Sequence, residues 1–227
     1  MAVIDLQIVN THDPLKRMAE KESGGVEFSP MDPPEAYAPP VLDSVPYADL
    51  HPCLQALVDE HNRARTAVDE FEKALVRFKR SAWQNAREAQ SEFSSFFRFT
   101  DEVMIRHHLK EERVLFPALN ARLAEREEHS KGKFPRTAVD LLEDDHVKIM
   151  QHLTLMFNFL GLAPRLPDSA SRALTYDVAA EQGFALIELL KLHLFREENV
   201  AFPKANKYIG EAEFNVMQNQ MLTYAHY

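Results

Sequence analysis

A helix-spaced set of histidine and glutamate occurs twice in this chain, and a chain that carries it twice has few ways to fold. One copy is His107-His108-Leu109-Lys110-Glu111-Glu112-Arg113-Val114-Leu115-Phe116-Pro117, the other His193-Leu194-Phe195-Arg196-Glu197-Glu198-Asn199-Val200-Ala201-Phe202-Pro203, with six of eleven positions identical. On an α-helix, residues four apart share a face, roughly 6 Å apart along the axis. His107 with Glu111, and His193 with Glu197, therefore each offer an imidazole and a carboxylate to one neighbour. Upstream stand Leu57-Val58-Asp59-Glu60-His61 and Leu142-Glu143-Asp144-Asp145-His146, each a lone histidine after an acidic residue, with leucine four positions before it. His61 and His146 are 85 residues apart, and His107 and His193 are 86 apart. Each half thus supplies two imidazoles and a carboxylate from a helix pair, and two halves make one bundle around a two-metal centre.

The apolar periodicity places these residues on helices. Leu50, Leu54, Leu57, Val58, His61, Ala64, Val68, Phe71, Leu75 and Phe78 follow i, i+3, i+4, i+7 spacing from about Ala48. A second helix is expected from roughly Gln84 to Arg126, with a kink or break at Pro117, which has no N–H to give its helix. Turn-forming residues over 128–136 divide the halves. A third helix begins near Ala138 and Gly161 is expected to stop it; a Pro-containing loop runs to Asp168, and a fourth helix starts about Ser171. Short connections predict an all-α, up-down-up-down four-helix bundle over residues 48–206. A segment at 207–227 holds a short C-terminal helix around Glu211 to Leu222. Residues 1–47 read as a Pro-rich extended arm, with seven of the thirteen prolines and eight acidic against three basic residues. That arm lies along the bundle, meets a protein partner, or serves as a linker.

Composition narrows the function classes. A formal charge of −9 with no Lys/Arg cluster argues against nucleic acid and anionic membrane as partners. The single cysteine, Cys53, excludes an internal disulfide and a thiolate zinc site. No stretch approaches the ~20 apolar residues of a membrane span, and the start, Met1-Ala2-Val3-Ile4-Asp5, lacks a basic, then apolar, leader. The expected location is cytoplasmic.

One histidine on an apolar face is ordinarily a hydrogen-bonded core residue, but four at matched offsets, with two glutamates, need a common explanation. Buried and unpaired, Glu111 and Glu197 would each cost several kcal/mol, and no Lys or Arg shares their stripe. A cation would satisfy His61, His107, Glu111, His146, His193 and Glu197 together. Imidazole with carboxylate suits iron, zinc, manganese or nickel. Two metals roughly 3.5 to 4 Å apart could share the carboxylates and keep open positions, unlike the closed shell of structural zinc. Glu-x-x-His ferritin-like spacing and His-Glu-x-x-His are both absent.

The ordered set His61, His107-x-x-x-Glu111 with Val-Leu-Phe-Pro, His146, and His193-x-x-x-Glu197 with Val-Ala-Phe-Pro resembles the hemerythrin-like, or HHE cation-binding, domain over residues 48–206. The resemblance implies two iron ions in a non-haem, oxo- or hydroxo-bridged di-iron centre, His61 and His107 on one iron, His146 and His193 on the other, and both glutamates as bridges. The oxygen-carrying hemerythrins have a second histidine four residues after the first on the third helix, where this chain has Met150. Leaving both irons open is more similar to the branch with di-iron repair proteins and an iron-sensing ubiquitin-ligase subunit; the cysteine-containing N-terminal segment of the repair proteins is missing. The expected function is binding of, or reaction with, a small ligand (O2, NO or peroxide) in sensing, storage or detoxification. The alternatives are an iron-responsive regulatory protein whose bundle is ordered by metal, with a protein partner met through the arm, and a di-iron repair-type protein.

Several neighbours stay open at this level. Glu112 and Glu198 either ligate or face solvent, His108 either turns inward or lies outside the shell, and Glu60 and Asp145 either accept from ligand imidazoles or carry surface charge. Phe93, Phe97, Met104, Ile149, Met156 and Leu189 are expected to wall the ligand pocket.

Overall fold

The computed structural model describes residues 45–84, 86–131 and 133–224, with side chains omitted at 86 and 87; the arm expected over 1–47 lies almost wholly outside them. Helix α1 spans Pro52–Arg80. His51 caps it, its Nδ1 accepting from Cys53 N–H at 3.1 Å, and Pro52 fills the first turn, where an N–H would have no helical partner. Its buried residues include Leu54, Leu57, His61, Ala64, Val68, Phe71, Leu75 and Phe78. These sit three, four or seven apart, so one stripe faces the core.

Helix α2 starts as Ala86–Phe99, passes through a π-helical segment, Thr100–Met104, resumes as Ile105–Lys110, widens again over Glu111–Leu115, and ends as Phe116–Glu125. Of the kink or break expected at Pro117, the break is absent. Instead the turn before it opens: Phe116 N–H bonds Glu111 O, five residues back, so the strain of the missing proline donor is taken up in a wider turn.

Helix α3, Ala138–Leu162, opens with a capping box in which Thr137 and Asp140 satisfy each other's backbone. Gly161 does not stop it. The helix runs on to Leu162 and closes through a 3-10 turn, Ala163–Arg165, with Arg165 donating back to Gly161 O at 2.5 Å. Helix α4 begins at Ser169, capped by Asp168, and continues to Arg196, through a π segment at Glu197–Ala201, into Phe202–Tyr208. Helix α5 is Glu211–Thr223.

The described residues form an all-helical bundle without strands, and no helix among them is long and apolar enough to cross a membrane. Two apolar cores fill it. One gathers Ala64, Val68, Phe71, Phe96, Met104, Ile149, Met156, Leu190 and Leu194; the other gathers Leu54, Leu57, Val114, Phe116, Leu142, Ala201, Phe202, Phe214 and Met221. On each of α1 to α4 the motif residues fall between the stretches that feed these cores. The site is therefore a polar layer between two apolar ones, and α5 covers the second core, where Cys53 Sγ meets Met221 Sδ at 3.4 Å.

Candidate metal centre

The layer holds His61, His107, Glu111, His193 and Glu197 at 0–1 % exposure and His146 at 2 %. Two clusters result, His61, His107, Glu111, Glu197 and His146, His193, Glu111, Glu197, each with ligand-capable atoms within 4.8 Å of one another. Both glutamates are members of both. Glu111 turns Oε1 toward His107 Nε2 at 3.3 Å and Oε2 toward His146 Nε2 at 3.5 Å. Glu197 does the same with Oε2 toward His61 at 3.2 Å and Oε1 toward His193 at 3.1 Å. Each carboxylate thus spans the two histidine pairs.

The outer ring nitrogens explain the acidic neighbours. His61 Nδ1 lies 2.8 Å from Glu198, His107 Nδ1 2.9 Å from Glu60, and His146 Nδ1 2.9 Å from Glu112. Asp145 Oδ2 is 3.8 Å from His193 Nδ1, beyond hydrogen-bond reach, and accepts from Arg196 at 2.6 Å. Arg65 donates to Glu198 at 2.6 Å and Lys110 to Glu60, so cations back three of the four outer carboxylates. Glu112 and Glu198 are therefore neither in the inner clusters nor simple surface charges; each reaches the lone histidine of the opposite half.

An imidazole that donates from Nδ1 leaves a lone pair on Nε2. His61 Nε2 stands 3.0 Å from His107 Nε2, and His146 Nε2 3.0 Å from His193 Nε2. Facing lone pairs at that distance repel unless a cation sits between them, and 3.0 Å is about the separation of two nitrogens held at right angles ~2.1 Å from one ion. All four oxygens of Glu111 and Glu197 are buried without a hydrogen-bond partner among the described residues. Such orphaned groups call for a neutralising charge, and the donor set fits a divalent metal.

Without metal, protons must do that work. Burial opposes charge on His107, but Glu111 beside it wins and raises the ring to about 10; His193 rises to about 9 against burial, through Glu197. Glu111 and Glu197 go down despite burial, because the imidazoles favour their charged forms.

One feature escaped the sequence reading, and His108, left open there between an inward and an outer place, is buried. Phe116 and Phe202, nine residues after each motif histidine, stack on the lone histidine of the opposite half: Phe116 on His146 at 5.6 Å between centroids, Phe202 on His61 at 5.4 Å. His108, buried at 6 %, stacks on His146 at 3.8 Å. The pocket walls also differ from expectation. Met104, Ile149 and Met156 are packed in the first core, while Phe93 and Phe97 line a separate cavity with Phe157 and Tyr176. A cavity of about 700 Å³ between α2 and α3 is lined by Ile105, Leu109, Val147 and Met150 together with His108, Glu112 and His146 of the centre and its surroundings.

No curated protein and no solved structure matches the chain. Residues 53–132, which carry His61, His107 and Glu111, match the family model described as Hemerythrin HHE cation binding domain, and the chain is accordingly similar to that family over those residues.

Proposed function

We propose that residues 48–206 form one hemerythrin-like up-down-up-down four-helix bundle holding a non-haem di-iron centre. In this reading His61 and His107 hold one iron, His146 and His193 the other, and Glu111 and Glu197 bridge. Opposed numbering in the contacts supports the topology: Glu60 meets His107 while Arg77 meets Glu92, and His146 meets His193 while His152 meets Gln182. The observation that carries the metal reading is the shared membership of Glu111 and Glu197, each with one oxygen toward each histidine pair. The second half, outside the matched residues, repeats the first atom for atom in this respect.

Two irons in such a shell would supply open positions and one-electron redox chemistry to a small ligand such as O2, NO or peroxide. The chain's own residues would do the rest. Glu198, Glu60 and Glu112 hold their imidazoles with Nε2 inward, as carboxylates behind metal-bound histidines do. The apolar cores above and below exclude water and strengthen each charge contact in the layer. The apolar lining of the α2–α3 cavity favours entry of small uncharged molecules over ions.

A second reading, an iron-responsive protein whose bundle is ordered by metal, draws on the four orphaned carboxylate oxygens: a core that destabilises itself when empty couples folding to loading. Metal content per chain, with the visible spectrum before and after reduction and exposure to air, tests the proposal. Close to two irons, with oxo-bridge absorption lost on reduction and regained in air, is expected. One zinc or none, with no colour change, overturns it. Loss of helix content on chelation, without turnover of peroxide, would favour the regulatory reading.

A further inference from the structure

The cavity walled by Phe93, Phe97, Phe157 and Tyr176 stands apart from the metal layer. It forms where the end of α1, the first turns of α2, the end of α3 and the early part of α4 meet. Phe78, which also lines it, follows His61 by 17 residues, roughly 25 Å along α1. The cavity measures about 540 Å³, within the range of sites that enclose small molecules. Phe93 and Tyr176 are buried in its floor, while Phe157, 60 % exposed, stands edge-on to Phe97 with centroids 5.1 Å apart.

Charge decides what such a cavity can hold. Arg165 is the one charged residue of the lining, in a chain whose net charge is −9. Its Nη1 donates to Gly161 O at 2.5 Å, which ties the guanidinium to the wall; Nε and Nη2 have no acceptor, and no carboxylate pairs with Arg165 among the described residues. The hydroxyls of Ser94 and Tyr176, also of the lining, make no hydrogen bond among the described residues. A guanidinium with two free donor positions matches a carboxylate.

Gly161 gives independent support. It is helical, and a glycine inside a helix weakens it. No close approach requires one here: beyond its own helix backbone, an added Cβ would come within 4 Å of a single atom among the described residues, Arg165 Nη1 at 3.7 Å. The missing side chain leaves room in the cavity beside the one cation.

We propose that this cavity binds a small organic carboxylate with an apolar body, the carboxylate on Arg165 and the body against Phe93, Phe97 and Phe157. The site is independent of the metal layer and stands whether or not that layer holds two irons.

Binding is measured on the full chain by calorimetry and by the emission of Trp83, the sole tryptophan, whose ring centroid lies 5.1 Å from that of Phe78 and 6.0 Å from that of Tyr176. The probes are 3-phenylpropionate and octanoate. One molecule per chain should bind and shift the emission, and the tighter probe tells whether the body is a ring or a chain. 3-Phenylpropanol, which keeps the ring and lacks the charge, should bind at least about tenfold more weakly, and Arg165→Gln should weaken the acids by a similar factor. Gly161→Leu should abolish binding while helix content and Tm hold or rise, because leucine favours helix over glycine; loss of binding in that variant is then not a failure to fold. The proposal is overturned by no binding of either acid up to about 10 mM, by an alcohol that binds as tightly as the acid, or by undiminished binding in Arg165→Gln or Gly161→Leu.

Discussion

Glu112 and Glu198 are the side chains that bind the halves of the site to each other. Each follows a motif glutamate by one position, and each reaches across to the lone histidine of the other half, Glu112 to His146 and Glu198 to His61. Fixing Nδ1 fixes which nitrogen faces inward, and loss of such a partner commonly costs 10–100-fold in metal affinity. Glu198→Gln should therefore weaken metal at the His61–His107 pair by about that factor while the pair at His146 and His193 keeps its affinity, read by competition against a chelator of known strength. Equal weakening of both steps, or none, would count against the assignment of separate pairs. Four of the six inner residues were legible in the sequence because four-residue spacing on a helix is unambiguous about facing, and His61 and His146 because each follows an acidic residue with leucine four positions before it, at offsets that match the motif pair. Glu112, Glu198 and His108 were not, since an ideal helix turns the next residue about 100° aside and sequence spacing alone does not reveal which neighbouring helix awaits it there.

At the scale of the element, the π segments decide more than the prolines that follow them. Glu111–Leu115 and Glu197–Ala201 each start at a carboxylate of the centre and end just before Phe-Pro. Slower winding over those residues brings Phe116 and Phe202 back toward the face that bears His107 and His193, which is how a phenylalanine nine positions on comes to stack on a histidine. Proline in the sequence announced a disturbance; its form depended on the wide turn, which no propensity records. The helices themselves were readable from apolar period and caps, whereas Gly161 misled because a glycine near a helix end suggests a left-handed cap. Here Arg165 satisfies the terminal carbonyl and the glycine stays helical. The glycine that matters is Gly183 of α4, where an added Cβ would lie 2.7 Å from Leu75 Cδ2 and 3.0 Å from Met156 Sδ. Gly183→Val should destabilise the fold by about 1–3 kcal/mol through overpacking. Gly183→Ala, which gains roughly 1 kcal/mol of helix propensity and needs only small shifts of two side-chain ends, should come out near neutral. Urea unfolding of both variants decides it, and a neutral valine would mean that the helices are less tightly apposed than this.

For the molecule as a whole, a charged layer between two apolar cores makes stability depend on what neutralises that layer. In the metal-free protein, His107 is raised from 6.5 to about 10 and His193 to about 9, with Glu111 and Glu197 as the charges that outweigh burial. A raised histidine stabilises the fold fully below its unfolded value and loses that contribution as pH climbs through its folded one. The loss therefore runs from about 6.5 upward and is complete past about 10. Glu111 and Glu197, lowered from 4.5, act the other way: their contribution is present above 4.5 and is lost as pH falls through their lower folded values. The metal-free chain should thus be most stable between roughly pH 4.5 and 6.5, and its melting temperature should fall toward pH 10 by several degrees, since ~1 kcal/mol moves Tm by about 2–4 °C at this size. Metal takes over the neutralising role from those protons, so the loaded protein should hold its Tm across the same alkaline range, and loading at neutral pH should release protons into weakly buffered solution. Melting curves with and without chelator, together with proton release during metal titration, check both halves of this. A metal-free chain whose Tm stays level from pH 6.5 to 10 would mean that the buried carboxylates find some other counter-charge, and the case for a cation in the layer would lose its energetic basis.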